Sequence, residues 1–315
     1  MPTSGSVDFS VSRDSIITEA LQICGVVPEG GTANSNQLSD GARTLNMLIK
    51  NLQAKPEYNL WTIQHGIIFP QADQIQYKIG GSGPDHTCKV SDFVYTTVRT
   101  AYTAGTTLEV TSTTGMTNSD FIGVVTDAGT IEWKTLTVVD ADTITLSGAL
   151  TDDAAAGNYV YTYTSKLNRP LRIMSAYTKD ISSNVDTSVK VISQEEYDTL
   201  SIKTAESSVP NQLYYNPQLD QGLVYMWPEP SDMRQLMYIR HVRPIEDFDA
   251  SGDTPDLPQE WYLPLTWNLA ALLCTKYGVA NSDKQDIKTT AAIMLMDTLA
   301  FDREGNTSIF VGLED

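Results

Sequence analysis

Two periods of apolar residues divide this chain. Near the N-terminus Ile16, Ile17, Ala20, Leu21 and Ile23 recur at helical spacing, with Ser12 as an N-cap and Gly25 as a stop. Beyond a Pro/Gly/Asn loop at 26–35, Leu38, Ala42, Leu45, Leu48, Ile49 and Leu52 repeat the pattern up to Pro56. The same period returns at Asp256, where Asp256, Pro258 and Gln259 suit a helix start and Pro264 predicts a kink or restart. Leu265, Leu269, Leu272 and Leu273 then form one stripe, while Trp267, Ala270, Ala271, Cys274 and Tyr277 fill most of the remainder. A helix apolar nearly all round must be buried on several sides. Two faces are expected inside the subunit and a third against a neighbour. Gly278 ends it, and Ser282 with Gln285 opens a last helix carrying Ile287, Ala291, Met294, Leu295 and Leu299.

Between these helical ends the period falls to two. Strands are expected at 66–70 and 75–79 around a turn at 71–74, then at 93–98, 171–177, 187–193, 223–227 and 236–242, with a short helix at 194–199. The stretch 100–164 is rich in Thr, Val, Gly and Asp and nearly free of Lys and Arg. Its short strands at 107–111, 121–126, 132–139, 143–146 and 158–163, separated by Gly, Asp and Asn turns, mark a small sandwich or barrel. The fold class expected is therefore α+β. A helical-bundle core is assembled from 1–65 (its first 11 residues a mobile arm) and 256–304. The β region takes 66–99 and 165–255, an inserted small all-β domain takes 100–164, and a C-terminal tail takes 305–315.

Charge changes this picture more than bulk composition does. The net charge of −18 argues against an overall basic nucleic-acid surface and against anionic membranes, yet suits a passage through which DNA slides without sticking. Cys24, Cys88 and Cys274 are odd in number and far apart, so a disulfide framework or zinc site is not expected. No apolar signal segment and no run of membrane-spanning length is visible, which predicts a soluble protein made in a reducing compartment.

Few residues suggest chemistry. No P-loop, H-E-x-x-H, G-x-S-x-G or C-x-x-C motif occurs. Gly80-Gly81-Ser82-Gly83-Pro84 is glycine-rich but lacks the lysine and helix start that hold a phosphate. His65, His86 and His241 share no pattern. Asp247-Phe248-Asp249-Ala250-Ser251-Gly252-Asp253 matches the opening of a calcium loop, but Pro258 stands where the bidentate acid belongs. Turn formation and capping explain these aspartates more simply. The basic run Arg234, Arg240, His241 and Arg243 reads as a solvated face or as the complement of an acidic neighbour. No catalytic, cofactor or metal residue is assigned, and an enzyme is not expected.

Several stretches, taken in order, resemble one family. They are Ala20-Leu21-Gln22-Ile23-Cys24-Gly25-Val26, then Tyr58-Asn59-Leu60-Trp61, then Leu223-Val224-Tyr225-Met226-Trp227-Pro228-Glu229-Pro230. Ile245-Glu246-Asp247-Phe248-Asp249 follows, with Pro255-Asp256-Leu257-Pro258-Gln259-Glu260-Trp261 and Leu269-Ala270-Ala271-Leu272-Leu273 through Lys276-Tyr277-Gly278-Val279. Together they resemble the head-to-tail adaptors of short-tailed bacteriophages, the tail-tubular-protein-A-like and tail-accessory-factor group. The resemblance covers most of the chain outside the insert.

Such a resemblance implies a structural virion protein forming a ring, usually of twelve copies, between the portal ring and the tail nozzle or tube. Helices would surround a channel for double-stranded DNA bound without sequence specificity. Assembly would take place in the host cytoplasm, with no membrane partner. The tail implied to reach the portal holds Ile309, Phe310, Val311 and Leu313. The subunit contacts are expected at Trp261, Leu265, Trp267, Leu272 and Tyr277. A receptor- or carbohydrate-binding virion protein acting through the insert is the alternative. It would need exposed aromatics among Trp133, Tyr159, Tyr161 and Tyr163. Cell-wall hydrolysis, credited to some relatives, has no supporting residue here.

Overall fold

The structure, a computed structural model, describes residues 5–54, 60–207 and 209–302. It corrects the expected fold class. The chain is mostly β, with a large, nearly closed barrel-like sheet and a half-barrel sheet, and its helices make up only 27%. A helical bundle is therefore not the core on which the chain is built. The reason lies in how the signals are distributed: helical stripes gather many apolar residues into a few runs, whereas the β residues are scattered over many short strands.

Among the described residues the helices are α1 (Arg13–Ile23), α2 (Ser35–Gln53), α3 (Gln194–Asp198), α4 (Tyr262–Lys276) and α5 (Asn281–Phe301). The early strands are β1 (Ile63–Ile68), β2 (Gln76–Ile79), β3 (Thr87–Lys89) and β4 (Val94–Thr97). Then come β5 (Thr107–Glu109), β6 (Phe121–Val125), β7 (Ile131–Val139), β8 (Thr143–Leu146) and β9 (Tyr159–Tyr163). The later strands are β10 (Arg172–Asp180), β11 (Val185–Ile192), β12 (Glu206–Ser207) and β13 (Gln212–Pro217), followed by β14 (Gly222–Trp227), β15 (Glu229–Pro230) and β16 (Gln235–Val242). The chain forms two compact units, one from the residues up to Thr62 and from Ile245 on, the other from Ile63–Pro244.

In the first unit, α1, α2 and α5 pack on α4. The Ser12 side chain accepts the Ser15 N–H, and Asn34 with Gln37 forms a full capping box on α2. Gly41 lets α1 and α2 meet: a Cβ there would lie 2.3 Å from Cγ2 of Ile17. Leu265, Leu269, Ala270, Leu273 and Cys274 of α4 are buried with Ile17, Leu21, Leu45 and Ile49. Asn46 of α2 clamps the returning loop, donating to the Phe248 carbonyl at 3.1 Å and accepting its N–H at 3.0 Å. Pro264 falls in the first turn of α4, where its missing N–H costs nothing, and Ala280 rather than Ser282 occupies the N-cap of α5.

The second unit holds both main sheets. The larger runs β2-β14-β13-β11-β10-β16-β1-β3 and is antiparallel except at β11–β13. Consecutive strands β1 and β2 do not pair, so the turn between them leads to a different part of the sheet rather than closing a hairpin. Strand β16 is buried on both faces. Met237 and Ile239 join Ile68 and Val224 in one cluster, while Leu236 and Tyr238 join Ile67 and Cys88 in another. That explains its unbroken apolar run, which a half-exposed strand would not tolerate.

The smaller sheet, β4-β9-β6-β7-β8-β5, recruits Val94–Thr97, which the sequence pattern had placed with the main β region. Its edges are tied by a Val98–Val110 bridge and by Thr111 N–H donating to the Thr97 carbonyl at 2.9 Å. An aromatic seam joins the two sheets. The Phe69 ring centroid lies 4.9 Å from Trp133 and 5.6 Å from both Tyr161 and Tyr163. Gly123 makes room for Trp133, since a Cβ there would approach its ring to 2.8 Å.

Candidate functional site

The first unit carries two open apolar features. One is a groove of about 320 Å³ between α1 and the first turns of α4. Ile16 and Ile23 of α1 and Leu263 and Trp267 of α4 line it, Phe9 and Val11 of the arm extend it, and Ser15, Glu19 and Thr266 supply its polar atoms. The arm is placed rather than free: Gln259 Nε2 donates to the Val7 carbonyl at 2.7 Å, and the Phe9 ring lies 6.1 Å from Tyr262.

The other feature is the outer side of α5. Ile287 and Ala291 face inward and are buried. Ala292, Ile293, Met296 and Ala300 point away, with Ile293 54% and Met296 70% exposed. At i, i+3/i+4 and i+7 spacing they form a continuous stripe on one face. Phe301, 77% exposed, stands beside its end.

The five residues expected at a subunit contact separate. Trp261 and Leu265 are buried in the unit's own core, where Trp261 meets Trp61 edge-on at 6.3 Å. Trp267 and Tyr277 are half-buried and Leu272 is exposed. The tail residues Ile309, Phe310, Val311 and Leu313 lie outside the described residues, as do Tyr58 and Asn59. The α5 stripe was not singled out from sequence, although the spacing of Ile293, Met296 and Ala300 was available to show it.

The chemistry-bearing residues do not converge. Around the acidic loop is an open hollow of about 560 Å³, in which the Asp247, Asp253 and Asp256 carboxylates are engaged. Asp253 accepts the Asp249 and Ala250 N–H groups at 2.8 and 2.6 Å, bonds that hold its pKa low, and Asp247 pairs with Lys50 at 2.6 Å. Among the described residues, no group of three or more His, Cys, Asp or Glu side chains is placed to hold a metal. Glycines 80 and 81 serve packing, since Cβ atoms there would reach 2.4 Å from the Arg169 nitrogen and 2.6 Å from the Asp220 oxygen.

The histidines occupy separate environments. His86 stacks on Trp133 at 3.9 Å and shares a 2.6 Å hydrogen bond with the Tyr163 hydroxyl, and burial pushes its pKa down to about 3. His241 is buried in the larger sheet and pushed down to about 4 by the same cause. His65 is exposed. The basic run is dispersed as well: Arg234 grips Asp232 at 2.8 Å, and Arg243 donates to the Pro244 carbonyl at 3.2 Å.

Neither a protein-family model nor a curated protein sequence matches this chain. Among the described residues, no helix is long and apolar enough to cross a membrane. What the geometry offers is a surface for docking: a shallow apolar groove and an apolar helix face, both on one unit.

Proposed function

We propose that this chain is a structural virion protein, a ring-forming adaptor that joins the portal of a DNA-filled head to the tail and borders the DNA channel. The observation that carries this reading is α5, a 21-residue helix with two buried residues and an exposed apolar stripe, in a chain whose ordered motifs resemble head-to-tail adaptors. Partners are further copies of itself, the portal ring, the tail nozzle or tube protein, and double-stranded DNA in transit. Its place is the neck of the virion. The charge of −18 supports passage of DNA without adhesion, since like charges keep the polyanion from settling on the wall.

The receptor-binding alternative draws less support. Tyr161 and Tyr163 are buried, and Trp133 is held between His86 and Phe69 in the seam, so these rings are engaged in joining the two sheets. The test is particle mass in solution, first alone and then with the portal of the same virus. A complex of fixed stoichiometry on the portal is expected. A chain that ignores the portal overturns the adaptor reading and directs the search to glycan binding by the insert.

A further inference from the structure

We propose that Cys24 and Cys274 are a redox pair, closing under oxidising conditions to a disulfide that fastens the end of α1 to α4. The inference does not depend on the adaptor reading.

Three observations carry it. First, both thiols engage one turn of α4. The Cys24 thiol donates to the Ala270 carbonyl at 3.2 Å, and the Cys274 thiol donates to the Ala271 carbonyl at the same distance. Ala270 stands four residues before Cys274, so its carbonyl is the one that the Cys274 N–H meets in an α-helix. That N–H lies close enough to donate to the Cys24 sulfur as well. Burial, and then the neighbouring Cys274 thiol, push the Cys24 pKa up to about 12, with the N–H acting the other way. Second, the residue at the contact is small. Ala270 is fully buried, and its single methyl group lets the Cys24 sulfur come down onto the helix backbone. Third, the two cysteines differ in how readily they open. Cys24 is the C-cap of α1, before Gly25 at φ +68°, and a helix end opens locally at least cost. Cys274 lies within α4 and is fully buried.

This difference sets the order of the chemistry. The Cys24 thiolate attacks one sulfur of a small disulfide, such as oxidised glutathione, and expels one glutathione thiolate. The Cys274 thiolate then attacks the Cys24 sulfur of the mixed disulfide, the Cys24–Cys274 bond forms, and the second glutathione thiolate leaves. Two protein thiols lose two electrons and two protons, and the glutathione disulfide takes them up as two thiols. Because burial keeps Cys24 protonated, exchange is slow and follows opening of the α1 end. The bridge joins the two ends of the chain, so the loop it closes contains the whole β unit. Long loops are where a cross-link constrains the unfolded chain most.

The full-length chain, incubated with oxidised glutathione or with dithiothreitol, tests this by free-thiol count, intact mass and a non-reducing peptide map. The expected result is a fall from three free thiols to one, a loss of two hydrogens, and one linked peptide holding Cys24 and Cys274. Cys88, buried in the other unit, should stay free. Oxidation should raise the thermal midpoint by several degrees, and the rise should vanish in Cys24→Ala. Three results overturn the proposal. One is survival of all three thiols. Another is a glutathione adduct on Cys24 that never resolves, which would mean that Cys274 is out of reach. The third is a bridge that forms without raising the midpoint, which would mean that it disrupts as much packing as it fastens.

Discussion

Helices α4 and α5 are consecutive arms of one hairpin, yet they are built for different surroundings. Seven of the fifteen residues of α4 are buried, against two of the twenty-one in α5. The helix that is apolar nearly all round is covered over most of its surface by α1, α2 and α5 within the same unit, with Leu263 and Leu272 left exposed. The helix that looks unremarkable in sequence keeps Ile293 and Met296 in water. High apolar content therefore marks the centre of the unit, and a modest stripe on a peripheral helix marks the surface that lacks cover. Total hydrophobicity does not separate the two cases; the number of neighbouring elements does.

The largest expected effect lies in α4. Leu269 is fully buried, and Leu269→Ala should destabilise the unit by about 2–5 kcal/mol through lost burial plus the cavity left behind. A denaturant titration read by tryptophan fluorescence measures this. A loss below about 1 kcal/mol would mean that the site collapses freely and that α4 is not the packed centre.

Acid should act instead on the β unit. Desolvation holds His241 at about 4 and His86 at about 3, both below the ordinary value of 6.5. The unfolded chain takes up protons near 6.5 while the folded chain resists them. Stability present above pH 6.5 is therefore lost as pH falls through 4 and then 3. Asp180, pushed down to about 2 by hydrogen bonds from Ser182 and Ser183, extends the loss below pH 3.8. Denaturation midpoints should fall between pH 7 and pH 4.5, and His86→Phe should flatten that slope. An unchanged slope in the variant would remove His86 from the account.

The smallest effect on folding is expected on α5, and there it is diagnostic. Ile293→Asp with Met296→Asp should change unfolding free energy by no more than about 0.5 kcal/mol each, as exposed positions do. The pair should nevertheless reduce self-association measured by sedimentation. If folding suffers as much as in Leu269→Ala, the stripe is part of the unit's own core and the contrast between the two helices dissolves.

Much of the local structure was legible in sequence. Ser12 and the stripe Leu265, Leu269 and Leu273 specify helices by short-range hydrogen bonding and period alone, whereas the Asn34–Gln37 capping box of α2 emerged only in the structure. Strands such as Thr143–Leu146 and Gln235–Val242 are similarly visible. Strand β13 (Gln212–Pro217) was not among the expected strands. Whether a residue such as Trp133 or Trp267 is a platform, a wedge or a contact was not legible, because that depends on which remote element arrives beside it.

The sequence by itself determined most of the helical and strand segments and the strong negative charge, because each depends on neighbours a few residues away or on composition alone. Only the tertiary structure decided that β-sheet outweighs helix, that β1 and β2 part company, that the insert's aromatics join the two sheets, and that α5 rather than α4 exposes an apolar stripe. These are outcomes of long-range packing. An apolar side chain states that it will leave water if a partner is at hand, and only the folded chain shows where no partner has come.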